Sequence, residues 1–494
     1  MGAVLLLAAI SPVQADSLSK AESYFNSGVE LYNAGSYAEA MARFKKSANE
    51  YQSAGKAGIE GYMYASLWAG ASGFYISDYP STFSFYRAAL ATAVDLKNGM
   101  AELNIRTALA NVSYSIQEYS DSISYYGPAV ELTREFNPSE AAGVIQFLGY
   151  LHVLDRRYEE AQALYLEALS LVITTGNRHE EAGIYGMLGN CLYNLGSFED
   201  GLERYIAAAE LMEAYEPSIE LAQYVGWQGL INLDLSRFDE AFEAYNRALV
   251  ITRELDDEVE SAKLLASIGF AFDKQGDNER AIVSYLDAVK GYRKTGNFDL
   301  LAATYESLGS LYEKSGDLWG AIETFTNLAG IYEHQRLVDQ LAGALTSLGS
   351  HYYSLEKYDA AIVHFEDALG HFVKLNKQKD IAALHYNIGA AHTGAGRHDK
   401  ALSAFLLAFE LELEVNDLDS ISDTGSLIAS LYEENYRYRE QIAVYIKVIQ
   451  SLEEVNRKEE LGILLNNTGV LHYHLSEYAA AIEYYSRALS ISSE

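Results

Sequence analysis

The 494 residues predict an all-α chain, a solenoid of about twelve helical hairpins, on three recurrences. A small residue returns at Gly28, Gly70, Ala110, Gly149, Gly189, Gly229, Gly269, Gly309, Gly349, Gly389, Ala429 and Gly469; the step is 40 residues throughout from Gly149, after steps of 42, 40 and 39. Sixteen residues past each stands an aromatic, running from Phe44, Tyr86 and Tyr126 to Phe405, Tyr445 and Tyr485. Four residues before the aromatic the side chain is usually Ala, as at Ala40, Ala161, Ala241, Ala281, Ala321, Ala361, Ala401 and Ala481. A fixed period of this length is the signature of one supersecondary unit stacked on itself. The small residues let two helices approach closely, and the aromatic is expected to fill the gap toward the next helix.

The elements of one repeat follow from apolar spacing. In the ninth, Gln340 to Ser354 places Leu341, Leu345, Leu348 and Tyr352 at helical intervals, and a turn follows over Leu355 to Lys357. A second helix runs from Tyr358 to Val373 through Ala361, Ile362, Phe365, Leu369 and Phe372, and the polar stretch Leu375 to Asp380 leads to the next repeat. Short loops make consecutive helices antiparallel neighbours. A loop residue is expected seven positions past each register residue, and no strand pattern occurs. Only five prolines interrupt the chain: Pro138 and Pro217 fall between repeats, Pro80 at a helix start, and Pro128 inside a second helix that it is expected to kink.

Leu308-Gly309, Tyr312, Gly316, Ala321, Phe325 and Leu328 resemble the tetratricopeptide repeat, whose signature has Leu-Gly, Tyr, Gly, Ala, an aromatic and Ala in that order. The pattern recurs as Leu348-Gly349, Tyr352, Tyr358, Ala361, Phe365, Ala368 and as Gly469, Tyr478, Ala481, Tyr485, Ala488, so the resemblance covers roughly residues 20 to 490. It implies a right-handed superhelix of antiparallel helix-turn-helix units. The family's usual unit has 34 residues, and the 40-residue step resembles the longer-helix variety of cell-polarity adaptors and bacterial signalling proteins. Thr82, Ser122 and Gln441 depart from it at the Ala position.

A net charge of -33, from 36 basic and 69 acidic residues, argues against nucleic acid and anionic membrane surfaces as partners. Residues 1–15 differ from the rest: Gly2 to Ile10 is apolar, and Val13-Gln14-Ala15 offers small residues at signal-peptidase spacing. A shortened export signal over 1–15 followed by the repeat array over 16–494 is therefore expected, with a periplasmic or extracellular location; a cytoplasmic one is the alternative. The segment is too short to span a bilayer, so no membrane insertion is expected once it is removed.

No catalytic, cofactor-binding or metal-ligating set is expected. The lone Cys191 lies among Leu188, Leu192 and Tyr193 and reads as a buried small hydrophobe. His351, His364, His371, His385, His392 and His398 crowd the ninth and tenth repeats without a ligand spacing, and His472 and His474, two apart on a helix, point away from one another. His152, His392 and His472 take the family's Tyr position, where packing and one hydrogen bond are expected. Ser53 to Ala57 lacks the spacing of a phosphate loop, and the glycosylation patterns at Asn111 and Asn466 fall within packed helices.

The resemblance implies a concave groove lined by first helices. Positions one and four past the register should face it: Asn111, Tyr114, Tyr150, Asn190, Tyr193 and Tyr353, with Asp273, Glu313, Glu433 and Tyr473. Tyrosine offers contact area at low entropic cost and asparagine can hold a peptide backbone, a combination suited to an extended peptide or a helix. Family members that clamp a C-terminal carboxylate pair such asparagines with lysine, but Thr107 and Gly186 stand in the lysine's place, so that clamp is not expected. A non-catalytic scaffold or sensor binding a protein or peptide follows; the alternative is the regulatory part of a larger bacterial enzyme, a caspase-like protease, histidine kinase or cyclase. The last helix keeps Ile482, Tyr485, Leu489 and Ile491, so either further sequence or end-to-end self-association is expected at that edge.

Overall fold

The computed structural model describes residues 12–453 and 457–493. By contacts the chain divides into two compact units, Met1–Leu255 and Asp256–Glu494. The described part of the first holds α1 (Pro12–Asn33), α2 (Tyr37–Ser53), α3 (Ile59–Tyr75), α4 (Tyr79–Asp95), α5 (Gly99–Ser115), α6 (Tyr119–Phe136), α7 (Ala141–Leu154), α8 (Tyr158–Thr175), α9 (Arg178–Asn194), α10 (Phe198–Met212), α11 (Ile219–Asp234) and α12 (Phe238–Glu254). The second holds α13 (Glu258–Gln275), α14 (Asn278–Thr295), α15 (Phe298–Ser315), α16 (Leu318–Gln335), α17 (Val338–Ser354), α18 (Tyr358–Leu375), α19 (Gln378–Gly394), α20 (His398–Val415), α21 (Leu418–Glu434), α22 (Tyr438–Glu453), α23 (Lys458–His474) and α24 (Tyr478–Ser493). Within each unit every helix packs on the one before it, and among the described residues there is no strand.

The register residue explains the hairpin. A methyl group placed on Gly28, Gly149, Gly229, Gly349 or Gly389 would come within 2.7 Å of the ring sixteen residues on, and at Gly349 within 2.5 Å of Phe365. The ring therefore lies on the glycine of its own hairpin as well as toward the next helix. Some rings also reach the following hairpin: Tyr205 stacks on Trp227 with centroids 5.5 Å apart, and Tyr126 meets Phe147 at 5.0 Å. Ala40, Ala161, Ala241, Ala321 and Ala361 are fully buried at the helix crossing. Where the alanine is missing, Ser122 donates to the Ala110 carbonyl at 2.9 Å and Thr82 to the Asp78 carbonyl at 2.8 Å, while the Oε1 of buried Gln441 finds no partner.

The turn inside each hairpin is set by a left-handed residue seven past the register, and all twelve such residues have positive φ. Gly35, Gly196, Gly276, Gly316 and Gly396 adopt it without steric cost, whereas Ser77, Gln117, Arg156, Ser236, Glu356, Tyr436 and Ser476 adopt it with a side chain. Asn376, at φ 55, ends α18 in the same way. The connection of the ninth repeat is thus only Asn376 and Lys377. The second helix extends to Leu375, and Gln378 to Asp380, read as loop, already belong to α19. Asp277, Asn297 and Asp317 cap the following helices by accepting from the backbone N–H three residues on, at 3.1, 3.2 and 3.0 Å. α6 runs through Pro128 as one helix.

Surface ion pairs link successive hairpins: Lys377 reaches Asp339 at 2.5 Å, Arg397 reaches Asp359 at 2.6 Å and Arg439 reaches Glu477 at 2.7 Å. Exposed pairs of this kind contribute roughly 0–1 kcal/mol each, so the apolar interfaces carry the stack. The apolar segment through Ile10 lies outside the described residues. Val13, Gln14 and Ala15 lie in the first turn of α1, where the Gln14 side chain donates to the Ala54 carbonyl at 3.3 Å.

Candidate functional site: the first-helix face

In the first unit, α1, α3, α5, α7, α9 and α11 are the first helices of their hairpins, and side chains pass directly between α1 and α3, between α5 and α7 and between α9 and α11. Tyr32 on α1 meets Trp68 and Tyr75 on α3 at 5.0 and 5.7 Å, and Tyr75 stacks on Tyr37 at 4.4 Å. Tyr114 on α5 meets Phe147 and Tyr150 on α7 at 5.8 and 6.4 Å. Tyr193 on α9 packs edge-on against Trp227 of α11 at 5.5 Å, and its hydroxyl donates to Asp234 Oδ2 at 2.8 Å. A side chain four past one register residue thus meets side chains two before, one after or five after the next. The spacing is physical: neighbouring first helices present equivalent turns to one another, slightly offset.

The face keeps polar tips on an apolar floor. Burial pushes the Tyr193 phenol up to about 12, and the bond to Asp234 adds to it. A hydrogen bond to Tyr114 pushes the Tyr150 phenol up, although Tyr150 is 40 % exposed. The Asn190 side chain reaches the buried Tyr205 hydroxyl, and its Oδ1 accepts from Asn194 at 3.3 Å. The raised Tyr150 and Tyr193 phenols and the Asn190 amide offer uncharged donors and acceptors, and Asp234 adds a carboxylate acceptor.

Of the expected site residues, Tyr114 and Tyr150 come together, while Asn190 and Tyr193, three apart on α9, both act on Tyr205. Asn111 is exposed on α5 beside the buried Ala110 and Val112. Tyr353 belongs to the second unit, where it is 39 % exposed and packs edge-on against Tyr358 at 5.5 Å. In that unit Asp273 and Glu313 carry charge at the same position: Asp273 pairs with Lys314 at 2.9 Å, and Glu313 Oε1 lies 3.0 Å from His351 Nε2. The sequence reading missed Trp68, Phe147 and Trp227, all two before a register residue, together with Tyr75 and Asp234, five after one. The residue two before varies along the chain (Ser267, Ser307, Asn387), so only the cluster of large aromatics in the N-terminal half marks it.

Cys191 is fully buried, and burial pushes its thiol up to about 11, as expected of a packed hydrophobe. His472 Nδ1 bonds Glu477 Oε2 at 2.7 Å, but Nδ1 of His152 and of His392 has no partner, which corrects the expected hydrogen bond there; burial lowers both pKa values. Among the described residues no group of three or more His, Cys, Asp or Glu is placed to hold a metal ion, and no helix is long and apolar enough to cross a membrane. The hydroxyls of both glycosylation patterns, Ser113 and Thr468, are fully buried.

Residues 187–258 and 346–410 match the family model of the Tetratricopeptide repeat, and residues 235–376 match that of the Soluble NSF attachment protein, SNAP. With the hairpin packing above, these matches show a helical repeat fold similar to the tetratricopeptide repeat, a fold typical of protein-interaction scaffolds. No curated protein matches the chain significantly. Similar solved structures include BtubC from P. vanneervenii, at 22% identity and TM-score 0.40 over 44% of this chain and 92% of that one. They also include the STAND protein with a tetratricopeptide repeat sensor from Pyrococcus horikoshii, at 14% and 0.38 over 79% and 57% of the two chains. Aspartyl phosphate phosphatase F from Bacillus subtilis is similar at 15% and 0.35 over 72% and 94%. Likenesses of this size say nothing of a shared function.

Proposed function

We propose that this chain is a non-catalytic scaffold or sensor that binds a protein or peptide segment on the first-helix face of its first unit. The observation that supports the reading is the run of half-exposed aromatics with polar tips across successive first helices: Tyr32 with Trp68, Tyr114 with Tyr150, and Tyr193 with Trp227 and Asp234. Rigid aromatics of this kind supply most of the affinity in protein recognition, and groove asparagines hold an extended backbone. The test is selection from a displayed peptide library on the full chain, followed by affinity measurement with Tyr114→Ala, Asn190→Ala, Tyr193→Ala and the second-helix control Val283→Ala. Truncation of a hot-spot tyrosine costs about 2 kcal/mol or more of affinity. Equal losses from Val283→Ala, which is 59 % exposed on α14, would place the site elsewhere.

Export is proposed from the apolar start and the small residues at Val13 and Ala15; N-terminal sequencing that finds residues 1–15 intact on protein from cells refutes it. Self-association is proposed through α24, which leaves Ile482 65 % and Leu489 71 % exposed. Sedimentation should show concentration-dependent association that Leu489→Glu abolishes, and a monomer at all concentrations ends the idea. A regulatory role beside an enzyme domain is the second reading, and a gene encoding such a domain in frame would favour it.

A further inference from the structure

Position 23 past the register is a core position. It is occupied by Ala93, Val172, Met212, Tyr292, Phe372 and Leu452, all buried, yet in the tenth repeat it is Glu412. Glu412 is only 3 % exposed on α20, as buried as the apolar residues it replaces. Thr424 of α21 donates to its Oε1 at 2.9 Å, but Oε2 is buried with no hydrogen-bond partner. A carboxylate that is half satisfied in the interior is costly, and the repeat itself shows that an apolar residue fits there. Packing therefore gives no reason for Glu412.

The surroundings give one. Glu412 lines a cavity of about 470 Å³ between α19, α20 and α21, with Tyr386 and Asn387 on one wall and Asp417, Asp423 and Thr424 on the other. Asp423 is exposed, and Asp417, which caps α21 by accepting from Ser420 N–H, stands at its start. The Tyr386 phenol is raised by burial and then by Asp423, with Glu412 acting in the same sense, so ring and carboxylates share one space. Lys379 and Asp380 are the other charged groups of the lining, which leaves one basic group against four acidic ones. On α20 itself Glu410 is already paired with Lys447.

We propose that this cavity is a binding site for a protonated amine, with the Glu412 carboxylate as its buried counter-ion, Asp423 and Asp417 as outer carboxylates and the Tyr386 ring as a wall. The class follows from the lining. Excess negative charge beside an aromatic ring suits an ammonium on an alkyl stem, because the cation satisfies the carboxylates while the stem covers the apolar wall. The proposal is independent of the peptide-binding face, since it rests on residues of the second unit alone. Burial holds Glu412 at about 7 without a ligand, so an amine that requires the ionised form must displace a proton.

Calorimetric titration of the full chain with 1,4-diaminobutane and with Nα-acetyl-lysine amide tests the proposal and separates a free diamine from a lysine side chain. Saturable binding of one equivalent is expected at pH 8, about tenfold weaker at pH 6 because a group titrating near 7 is then mostly protonated. Glu412→Gln should abolish binding, Asp423→Asn should weaken it and Lys379→Gln should strengthen it. Folding of each variant is checked by circular dichroism. If Glu412→Gln does not fold, Asp423→Asn, an exposed change, decides: unchanged affinity refutes the site. Absence of heat from both amines at millimolar concentration, or equal binding by folded Glu412→Gln, refutes it as well.

Discussion

Gly349 and Gly343 lie on the same helix, α17, and differ in one respect that sets opposite outcomes for the same substitution. A Cβ on Gly349 would stand 2.5 Å from Cδ1 and Cε1 of Phe365, a ring only 2 % exposed and held between helices. A Cβ on Gly343 meets nothing within 4 Å. Replacing glycine by alanine in a helix interior gains about 0.5–1 kcal/mol of helical preference at either site. Gly343→Ala should therefore stabilise by that amount. Gly349→Ala adds an overpacking cost of about 1–3 kcal/mol, so it should range from neutral to destabilised by about 2 kcal/mol. The difference between the variants removes the shared helical term and isolates the clash. A repeat array need not unfold in one step, so the measurement is amide exchange of peptides within 338–375 rather than a global melt. Exchange there should be roughly 5- to 150-fold faster in Gly349→Ala than in Gly343→Ala. The two repeats with alanine in the register differ: beside Ala429 the ring of Tyr445 is only partly buried, whereas beside Ala110 the ring of Tyr126 is buried. Equal protection in the two variants would refute the role given to the glycine register.

Three further outcomes follow from named contacts. Ala361→Trp and Ala321→Trp, both at fully buried helix crossings, should destabilise their hairpins by about 1–3 kcal/mol or more, and unchanged exchange in both would contradict the close approach. Burial raises Glu412 from 4.5 to about 7, so the native chain holds a proton that the unfolded chain loses between those pH values; stability should fall across that window by up to about 3 kcal/mol and level off above pH 7. Glu412→Leu should flatten this slope in denaturant titrations at pH 5 and 8, and an unaltered slope would remove Glu412 as its source. Cys191, with its thiol pushed up to about 11, should resist iodoacetamide at pH 8 until denaturant is added, and prompt labelling of the native chain would show that α9 opens locally.

Much of this fold was legible because a repeat writes the same packing problem twelve times. Gly349 with Phe365, and Gly229 with Tyr245, recur at a fixed spacing because each hairpin closes by laying a ring on a bare backbone, a local constraint that spacing alone reveals. Helix ends were less legible: Glu356 and Tyr436 adopt the left-handed turn although neither residue type favours it, because packing of the helices on either side holds the turn. The candidate face divides in the same way. Periodicity put Tyr114, Tyr150, Asn190 and Tyr193 one or four past the register on their first helices, while the groove they are expected to face is what the family resemblance implies. That Trp227 closes on Tyr193, and that Asp234 receives its hydroxyl, depends on the offset between adjacent first helices, and only tertiary packing sets that offset. Glu412 shows the limit most clearly. The sequence reading passed it over, since its burial, its single bond to Thr424 and the cavity around it come from three helices meeting, and burial is a property of neighbours and not of the residue.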